Sequence, residues 1–599
     1  STWRWMEMIV RRAPGVTHAA AEADLTRAFQ QSWRQMYAEE PAWGSVEDVR
    51  PHASLGPVQL ERGPQAGRDS RVATWVSGVA LIVLLVACAN VANLLLSRAV
   101  SRRREIAMRL ALGVSRGRLL RQLLVESLVL AVLGGAAGLL IANWGGAALR
   151  ALFLPSDFPA DVMTDGRTLL FLGAATLFAA LLTGLVPALH AQRTNLAGSI
   201  RSGARDETYR RSRTGTALLV FQSALSVLLL VGAGLFVRSL RNVEQYRLGY
   251  DVENVVFVSA NPRGVQLDDA QRSVLVTTML ETVQRMPGVT SAALAASVPF
   301  WSNEGRGLWV EGIDTVRNLG NFVMQAATPD YFRTMGTRIL RGRPFDQTDG
   351  ETGPRVVVVS ERMAEVLWPG REAIGQCIRI SERDAPCTTV IGIAEEARIR
   401  TLLEEREYSY YIPAAQYGEA MYPQVFARVA GDPETFVEPL RRALQAEMPG
   451  AAYVSARPLR EFVDPNLRAW RFGATMFVVF GALALVLAAI GLYSMIAYGV
   501  AQRTREFGVR LALGASAGQV VRMIVGNGVR LVVAGVVIGG AIAIWAAPRL
   551  ESLMFRASTR DPVVYGGVIA VLLSVAVLAS LAPAWRAMRL DPNVALRAD

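Results

Sequence analysis

The sequence predicts a polytopic α-helical membrane protein of seven spans that carries an α/β extracytoplasmic domain, made of βαβ units and an inserted β-rich lobe. Three observations support this prediction. Of the 599 residues, 52% are hydrophobic and only 19% are charged, whereas an ordinary soluble domain has about 25% charged residues. Several apolar stretches are long enough to cross a bilayer as helices. A sequence pattern beside these stretches occurs twice, which divides the spans into a 3 + 4 arrangement.

The predicted spans are apolar stretches that lack Asp, Glu and Arg and reach the length that the hydrocarbon core requires. A further uncharged stretch, Met286–Asn303, contains Pro287, Gly288 and Pro299. We predict a loop and a strand there instead of a span. The seven predicted spans are, in chain order, Val72–Ser97, Ser127–Leu149, Thr168–Gln192, Thr214–Val237, Phe472–Gln502, Leu531–Pro548 and Pro562–Trp585.

Arginine counts predict the orientation of the spans, because cytoplasmic loops carry an excess of basic residues. Residues 97–122 include eight arginines and one acidic residue, whereas residues 150–167 include two arginines and three aspartates. Residues 193–213 and 503–530 include six and five arginines. This alternation places the long segment 238–471 outside the cytoplasm.

Two predicted cytoplasmic loops carry the same pattern 401 positions apart. The sequence REIAMRLALG begins at Arg104, REFGVRLALG begins at Arg505, and seven of the ten positions are identical. This self-similarity indicates an internal repeat. The match continues into the next span, where a pair of glycines recurs: Gly134 and Gly138 align with Gly535 and Gly539. Such pairs usually serve ordinary helix packing, and a contact between the two halves is the sharper interpretation.

The second copy of the repeat has one span, a large outside domain and three closing spans, whereas the first copy has only the three closing spans. We therefore expect a first span and most of a first outside domain to be missing from the start of the sequence. Glu7–Leu25 resembles Val425–Leu444 in its strand-turn-helix pattern, which supports this expectation. The predicted divisions are a remnant of a first outside domain, a three-span domain, a cytoplasmic linker, a span, a second outside domain and a second three-span domain, at residues 1–71, 72–192, 193–213, 214–237, 238–471 and 472–599.

The composition excludes several kinds of chemistry. All 63 basic residues are arginine, so the sequence has neither a P-loop lysine nor a lysine nucleophile. Three cysteines and three histidines at unsuitable spacings predict no metal site, no catalytic site and no cofactor. The net charge of +12 comes from arginines beside apolar stretches. The expected partner is therefore a lipid bilayer and not a nucleic acid.

The segment 238–471 alternates strand-length apolar runs with helical stretches. One βαβ unit is predicted from Asn254–Ser259, Asp268–Arg285 and Val289–Val298, and a second from Gln424–Val429, Pro433–Glu447 and Ala452–Ala456. Between them, the strands Val356–Ser360 and Cys377–Ile380 and the short helix Tyr331–Met335 predict an inserted lobe.

Cys377 and Cys387 flank a predicted hairpin whose turn lies near Glu382–Ala385. Because both cysteines lie on the oxidising side of the membrane, we expect a disulfide between them. Two unpaired small hydrophobic side chains are the alternative. Cys88 lies within a span and is expected to be inert packing.

The repeated R-E-x-x-x-R-L-A-L-G resembles the FtsX-like permease motif of ABC transporters. Ala327–Gly350 and Val356–Ile380 resemble the periplasmic core domain of MacB-type permeases, and the doubled layout is similar to that of duplicated orphan permeases (ADOP). The resemblance implies a bacterial inner-membrane protein that transmits motion from a separate cytoplasmic ABC ATPase to its periplasmic domains, for export or extraction of a substrate. A membrane-fusion protein is a further candidate partner. The permease itself would not be an enzyme.

The repeated loop is the predicted contact with this ATPase. Its acidic and basic residues are spaced to pair along a helix, and glycines can end that helix. Ser115 and Ser516 can cap the helices that follow. Ile106 with Leu110, or Phe507 with Leu511, would form an adjacent apolar stripe. An arginine cluster on anionic headgroups is the alternative, although it does not require the same ten-residue pattern twice. The candidate coupling residues are Arg104, Glu105, Arg109, Gly113, Arg505, Glu506, Arg510 and Gly514.

Other functions are less well supported by the residues. Ion-coupled secondary transporters normally carry ionisable residues within their spans, and here only His190 lies in one. A membrane-anchored enzyme would need catalytic residues, yet segment 238–471 contains no histidine and shows no catalytic spacing of carboxylates. A non-transporting mechanical transducer or sensor of the FtsX type stays open, because it would use the same architecture.

Overall fold

The computed structural model describes residues 10–39, 45–53, 55, 68–101, 115–153, 166–192, 205–261, 265–400, 402, 406–417, 424–503, 506–507, 509–510, 513, 516–551 and 554–588. The chain divides into two compact units. One unit combines Ser1–Val58 with Glu244–Arg468 and contains the outside domain. The other combines Gln59–Val243 with Ala469–Asp599 and is a bundle of long helices.

The N-terminal segment contributes two described helices, α1 (His18–Glu39) and α2 (Val46–Val49). Glu7–Leu25 therefore ends in a helix as its pattern suggests, while its first three residues lie outside the described residues. The helices of the bundle are α3 (Arg68–Ser101), α4 (Arg116–Phe153), α5 (Gly166–Gln192), α6 (Arg205–Glu244), α11 (Arg460–Gln502), α12 (Ala517–Leu550) and α13 (Pro562–Met588). The helices between α6 and α11 belong to the outside domain.

Each predicted span lies within one of these bundle helices. In the described part of the chain, six helices contain a stretch long and apolar enough to cross a membrane. The predicted span Thr168–Gln192 lies in α5, whose described apolar stretch, Thr168–Gly184, is shorter. The multi-pass architecture is thus confirmed, and the count of seven stays a prediction. Met286–Asn303 contributes a strand and a loop, as predicted.

Helix α6 is the most buried of the six candidate spans: 61% of its apolar stretch is buried, against 6% for that of α4. Glycines allow this close packing. A side chain at Gly232 would collide with Phe477 of α11, and one at Gly234 would collide with Val564 of α13. Phe236 also stacks on Phe477, with 4.4 Å between ring centroids. The sequence of α6 therefore places it among its neighbours and away from lipid.

The first part of the outside domain is a four-stranded sheet with two helices. The chain order is β1 (Val255–Asn261), α7 (Asp269–Gln284), β2 (Val289–Leu294), β10 (Gln424–Val429), α10 (Glu434–Gln445) and β11 (Tyr453–Pro458). The strand order is β11-β1-β10-β2, and all neighbours are antiparallel. Both predicted βαβ units form, but each is split, because one antiparallel strand lies between its two parallel strands. This is the ferredoxin-like arrangement.

The sheet is buried on both faces because β1 and β10 are almost entirely apolar. Val256 and Val258 contribute to the core that includes Leu275 and Met279 of α7. On the opposite face, Phe257 pairs with Phe426, and their ring centroids are 5.3 Å apart. Asp268 caps α7 by accepting a hydrogen bond from the Gln271 N–H at 2.7 Å, which is the usual way for a helix to begin.

The inserted lobe lies between β2 and β10, as predicted, and its described residues form seven strands. Their order is β3-β7-β8-β6-β9-β4, with β5 paired to β8. The sheet is mixed, because β4 is parallel to β9 and β6 is parallel to β8. The strands are β3 (Leu308–Trp309), β4 (Asn321–Ala327), β5 (Ile339–Gly342), β6 (Val356–Ser360), β7 (Cys377–Ile380), β8 (Thr388–Ala394) and β9 (Glu407–Pro413), and the helices are α8 (Tyr331–Met335) and α9 (Glu361–Leu367).

Candidate functional site

The second copy of the predicted coupling loop is described in part. Glu506 and Arg510 form the predicted i,i+4 pair, with 2.6 Å between the Glu506 Oε1 and Arg510 Nη2 atoms. Both side chains are more than 40% exposed, so this pair adds only about 0.3–0.5 kcal/mol to stability. Its charges stay accessible to a partner. The other candidate coupling residues, Arg104, Glu105, Arg109, Gly113, Arg505 and Gly514, lie outside the described residues.

Phe507 attaches this segment to the helix bundle. Its side chain is 4% exposed and contributes to a cluster with Val520, Ile524 and Ala584, at the ends of α12 and α13. Burying a phenylalanine side chain stabilises a structure by about 1.5–3 kcal/mol. At Phe507 the predicted apolar stripe therefore faces the helix bundle. Leu511 lies outside the described residues.

The face opposite Phe507 carries exposed apolar side chains. Each residue of an α-helix turns by about 100°, so Val509 lies about 200° and Leu513 about 240° from Phe507. Val509 is 39% exposed and Leu513 is 83% exposed. Met523 of α12 is also exposed, and its Sδ atom accepts a hydrogen bond from Nη1 of Arg510 at 3.2 Å. This face was not among the predicted site residues, although the helical spacing of Val509 and Leu513 could have indicated it.

The helices after the two coupling loops begin at the predicted serines. Ser516 precedes α12, and its N–H donates to Oε1 of Gln519 at 3.2 Å. Ser115 precedes α4, and its carbonyl accepts from the N–H of Arg118 at 3.0 Å. The next helix therefore begins directly after an equivalent serine in both copies.

The two glycine pairs have different environments, which corrects the suggested contact between halves. Side chains at Gly535 and Gly539 would collide with Ser223, Ala224 and Val227 of α6, a helix of the same copy. A Cβ atom at Gly134 or Gly138 would have no neighbour within 4 Å among the described residues. The reason is that α6 has no equivalent beside α4 in the described residues.

Two amide side chains join α3, α6 and α11 inside the bundle. Nδ2 of Asn90 and Nε2 of Gln222 both donate to the carbonyl oxygen of Leu487, at 2.6 and 2.9 Å. Asn90 is 4% exposed and Gln222 is 2% exposed. Polar groups in such surroundings are costly to bury without hydrogen bonds, so these contacts fix how α3 meets α6 and α11. The sequence marks Asn90 only as a polar residue within a span.

In the outside domain, Glu395 connects two arginines. Its carboxylate accepts hydrogen bonds from Nε of Arg247 at 2.7 Å and from Nη2 of Arg338 at 2.9 Å. Although burial alone would raise the pKa of Glu395, these hydrogen bonds dominate and lower it to about 2. Glu395 thus stays charged and links the segment that follows α6 to the strands of the inserted lobe.

The adjacent Glu396 has the opposite electrostatics. Its two carboxylate oxygens are buried. Burial raises the pKa of Glu396 to about 7, and the Ser360 hydroxyl and the charges of Arg398 and Arg362 offset only part of this increase. The pKa values of these two neighbouring carboxylates therefore differ widely, because Glu395 faces guanidinium groups and Glu396 faces the core.

Cys377 and Cys387 lie at the two sides of the predicted hairpin. Strands β7 and β8 are antiparallel, with Cys377 opposite Thr389, and Cys387 immediately precedes β8. The two sulfur atoms are within bonding distance and the Cα atoms are 5.5 Å apart, which is a usual separation for a disulfide. Cys88 is free and buried. Within the described residues, no group of three or more His, Cys, Asp and Glu side chains could hold a metal ion.

These features define a multi-pass α-helical membrane protein of the inner membrane whose large domain is periplasmic. The FtsX-like permease C-terminal family matches residues 77–196 and 478–592, one match in each copy of the repeat. The MacB-like periplasmic core domain matches residues 216–446. The chain belongs to the FtsX-like, MacB-type ABC transporter permeases, a family that is generally non-catalytic.

Curated relatives agree with this assignment. A probable export ATP-binding/permease protein of Pseudomonas fluorescens is 26% identical over 278 residues, which are 45% of this chain and 42% of the relative. The macrolide export ATP-binding/permease protein MacB of Chromobacterium violaceum is 26% identical over the same shares. The chain thus spans about two fifths of the length of these relatives. The uncharacterized ABC transporter permease YknZ of Bacillus subtilis is 25% identical over 51% of this chain and 80% of the relative.

Two solved structures resemble part of the chain. The periplasmic region of MacB from Actinobacillus actinomycetemcomitans is 14% identical and covers 37% of this chain and 96% of that structure, with a TM-score of 0.28. The extracellular domain of the ABC-type transporter YknZ from Gram-positive bacteria is 16% identical and covers 34% of this chain and 99% of that structure, with a TM-score of 0.25.

Proposed function

We propose that this chain is a permease subunit driven by a separate cytoplasmic ABC ATPase, which binds the segment Arg505–Gly514 and its repeat equivalent Arg104–Gly113. The observation that carries the proposal is the two-sided environment of the second segment. Phe507 is buried in the bundle, while Val509 and Leu513 on the opposite face are exposed. The segment is thus fixed to the membrane helices on one side and offers its other side to a partner.

The chemistry of the exposed face supports a protein partner over lipid headgroups. An anionic membrane surface attracts basic residues, but this face combines aliphatic side chains with the carboxylate of Glu506. A short helix with apolar anchors and a flanking charge pair is suited to a groove on a protein. The face formed by Val509, Leu513 and Met523, beside the Glu506–Arg510 pair, is the proposed docking surface.

ATP would be hydrolysed outside these 599 residues, because the sequence has no lysine for a P-loop. The names of the Pseudomonas and Chromobacterium relatives combine ATP-binding and permease functions in one protein. By analogy we propose export or extraction of a substrate as the outcome of ATP-driven motion, with a membrane-fusion protein as a further candidate partner. A mechanical transducer that moves no substrate is the alternative.

The docking surface is tested by co-purifying the full-length chain with the ATPase from its native membranes. Val509→Asp and Leu513→Asp should each reduce the amount of bound ATPase without loss of folded chain, because both side chains are exposed. The double charge reversal Glu105→Arg with Glu506→Arg should have the larger effect, because it changes both copies and places like charges four residues apart.

Val274→Asp is the matched control, because Val274 is an exposed valine, 66% exposed, on α7 of the outside domain. It should leave ATPase binding unchanged. The proposal is wrong if the purified chain hydrolyses ATP alone, or if the double reversal and Leu513→Asp leave ATPase binding unchanged. Vesicles that hold the complex then separate the two functions: accumulation of a transported compound supports export, and its absence despite ATP-driven motion supports the transducer.

A further inference from the structure

The loop between α12 and α13 is hydrogen bonded to the outer end of α6. The backbone N–H of Phe555 donates to Oγ of Ser239 at 2.8 Å, and Ser239 is completely buried. One turn further along α6, Nδ2 of Asn242 donates to the carbonyl oxygen of Arg556 at 2.9 Å. Side chains of α6 thus form hydrogen bonds with backbone groups of the loop, which have no hydrogen-bond partner within a helix.

A buried carboxylate adds a charged contact to the same joint. Nε of Arg238 lies 2.6 Å from Oδ2 of Asp561, which is 7% exposed. The other carboxylate oxygen of Asp561 accepts from the N–H of Val563 at 2.9 Å. Asp561 therefore caps α13, with Pro562 at the first helical position, and binds α6 at the same time.

Apolar contacts extend the joint to α11. Phe555 packs edge to face against Trp470, with 6.1 Å between ring centroids, and both side chains are almost fully buried. Gly234 of α6 gives Val564 of α13 room to approach. The loop is thus held against α6 and α11 by buried groups and not only by exposed charges.

The opposite ends of α12 and α13 hold Phe507, the anchor of the proposed docking segment. With 34 residues, α12 is about 50 Å long at 1.5 Å per residue. The two helices therefore connect the docking segment with the joint at α6. Helix α6 ends at Glu244, and the chain continues from there into the outside domain.

We propose that Ser239, Asn242 and Asp561 are positioning residues that transmit displacement of the α12–α13 hairpin to α6 and so to the chain that enters the outside domain. The inference rests on the proposed function, in which an ATPase displaces the cytoplasmic end of this hairpin. The first copy also has an aspartate at the equivalent position: Asp165 lies 396 positions before Asp561, directly before α5 and outside the described residues.

The test measures distances between spin labels in the full chain, in lipid nanodiscs, with its co-purified ATPase loaded with ATP and vanadate. Labels at Ser115→Cys and Gly518→Cys, which lie outside the proposed docking surface, report the cytoplasmic ends of α4 and α12, and labels at Ala73→Cys and Arg241→Cys report the outer ends of α3 and α6. All four positions are exposed. A Cys88→Ala background removes the free native thiol.

The test variant is Ser239→Ala with Asp561→Asn. Asparagine caps a helix about as well as aspartate, so Asp561→Asn removes the ion pair while α13 keeps its cap. The nucleotide-dependent change in distance should be at least halved between the two outer labels and should be unaffected between the two cytoplasmic labels. Arg549→Gln is the control, because Arg549 stacks on Trp545 of its own helix at 4.2 Å; both changes should persist there.

If the distance between the outer labels changes as much in the test variant as in the unaltered chain, this inference is wrong and the proposed function is unaffected. If the double variant does not fold, Asp561→Asn alone decides in the same way. If the unaltered chain shows no change at the cytoplasmic pair, the proposed function fails, and this inference fails with it.

Discussion

Asn90 of α3 and Gly491 of α11, which occupy equivalent positions of the repeat 401 residues apart, lie against each other. A side chain at Gly491 would collide with Oδ1 of Asn90 and would reach Oε1 of Gln222 at 2.8 Å. The carbonyl oxygen of Leu487, one turn earlier in α11, accepts hydrogen bonds from both amides. The two copies of the repeat therefore meet at a polar contact. This contact requires the amide of Asn90 on α3 and the absence of a side chain at Gly491 on α11.

Gly491→Ala should destabilise the bundle, because overpacking a filled interior costs about 1–3 kcal/mol. This loss is measured by heating the detergent-solubilised chain with a fluorogenic maleimide. The maleimide reacts with the buried thiol of Cys88, two residues before Asn90, once the bundle unfolds. Gly499→Ala in the same helix is the control, because no described part of the chain lies within 4 Å of a side chain at that position. Equal melting temperatures for the two variants would contradict the assigned contact.

Substitutions at the two glycine pairs should have opposite effects. Gly535→Ala should lower the melting temperature, because the new methyl group meets Ser223 and the carbonyl oxygen of Val220. Gly134→Ala, the equivalent change in the first copy, should be neutral or raise it, since alanine favours a helix by up to about 1 kcal/mol over glycine. The same thiol assay compares them. A loss at Gly134 as large as that at Gly535 would mean that another helix covers Gly134.

Glu395 and Glu396 should give opposite dependences of stability on pH. Because the folded pKa of Glu395, about 2, lies below its ordinary value of 4.5, its contribution is complete above pH 4.5 and is lost as the pH falls towards 2. Glu395→Gln should therefore lower stability at neutral pH by on the order of 2–3 kcal/mol, less than the full pKa shift at about 1.4 kcal/mol per unit, because solvent screens part of the interaction.

The folded pKa of Glu396, about 7, lies above its ordinary value of 4.5, so the charged form destabilises the fold increasingly as the pH rises from 4.5 to 7. Glu396→Gln should match the unaltered chain below pH 4.5 and be more stable above pH 7, by on the order of 3 kcal/mol. Hydrogen exchange of β8 in the full chain at several pH values measures both variants. A constant difference between Glu396→Gln and the unaltered chain at all pH values would contradict the burial of this carboxylate.

A disulfide between Cys377 and Cys387 should be present in the chain when it is purified from native membranes without reductant. Mass spectrometry of unreduced peptides should detect the linked pair, because a periplasmic hairpin with Cα atoms 5.5 Å apart satisfies both the redox and the geometric requirements. Cys88 provides the internal control as the free thiol. Recovery of Cys377 and Cys387 as free thiols would contradict the bridge.

The sequence alone determined the elements of this protein, because their signals are local. A run of about 20 apolar residues predicts a span wherever it occurs, and strands such as Val356–Ser360 and Gln424–Val429 have the predicted ends. The repeat at Arg104 and Arg505 and the i,i+4 spacing of Glu506 and Arg510 also need no tertiary information. The family, the multi-pass architecture and the inserted lobe all follow from such patterns.

Only the tertiary structure decided which faces these elements use. Gly134 and Gly535 have the same local sequence pattern, and only the presence of α6 beside one of them makes that glycine necessary. Phe507 could face a partner or the bundle until Val520 and Ala584 come together on different helices. The ion pair of Asp561 with Arg238, more than 300 positions earlier in the chain, has no signal in either local sequence, because packing and electrostatics depend on distance in space and not on separation along the chain.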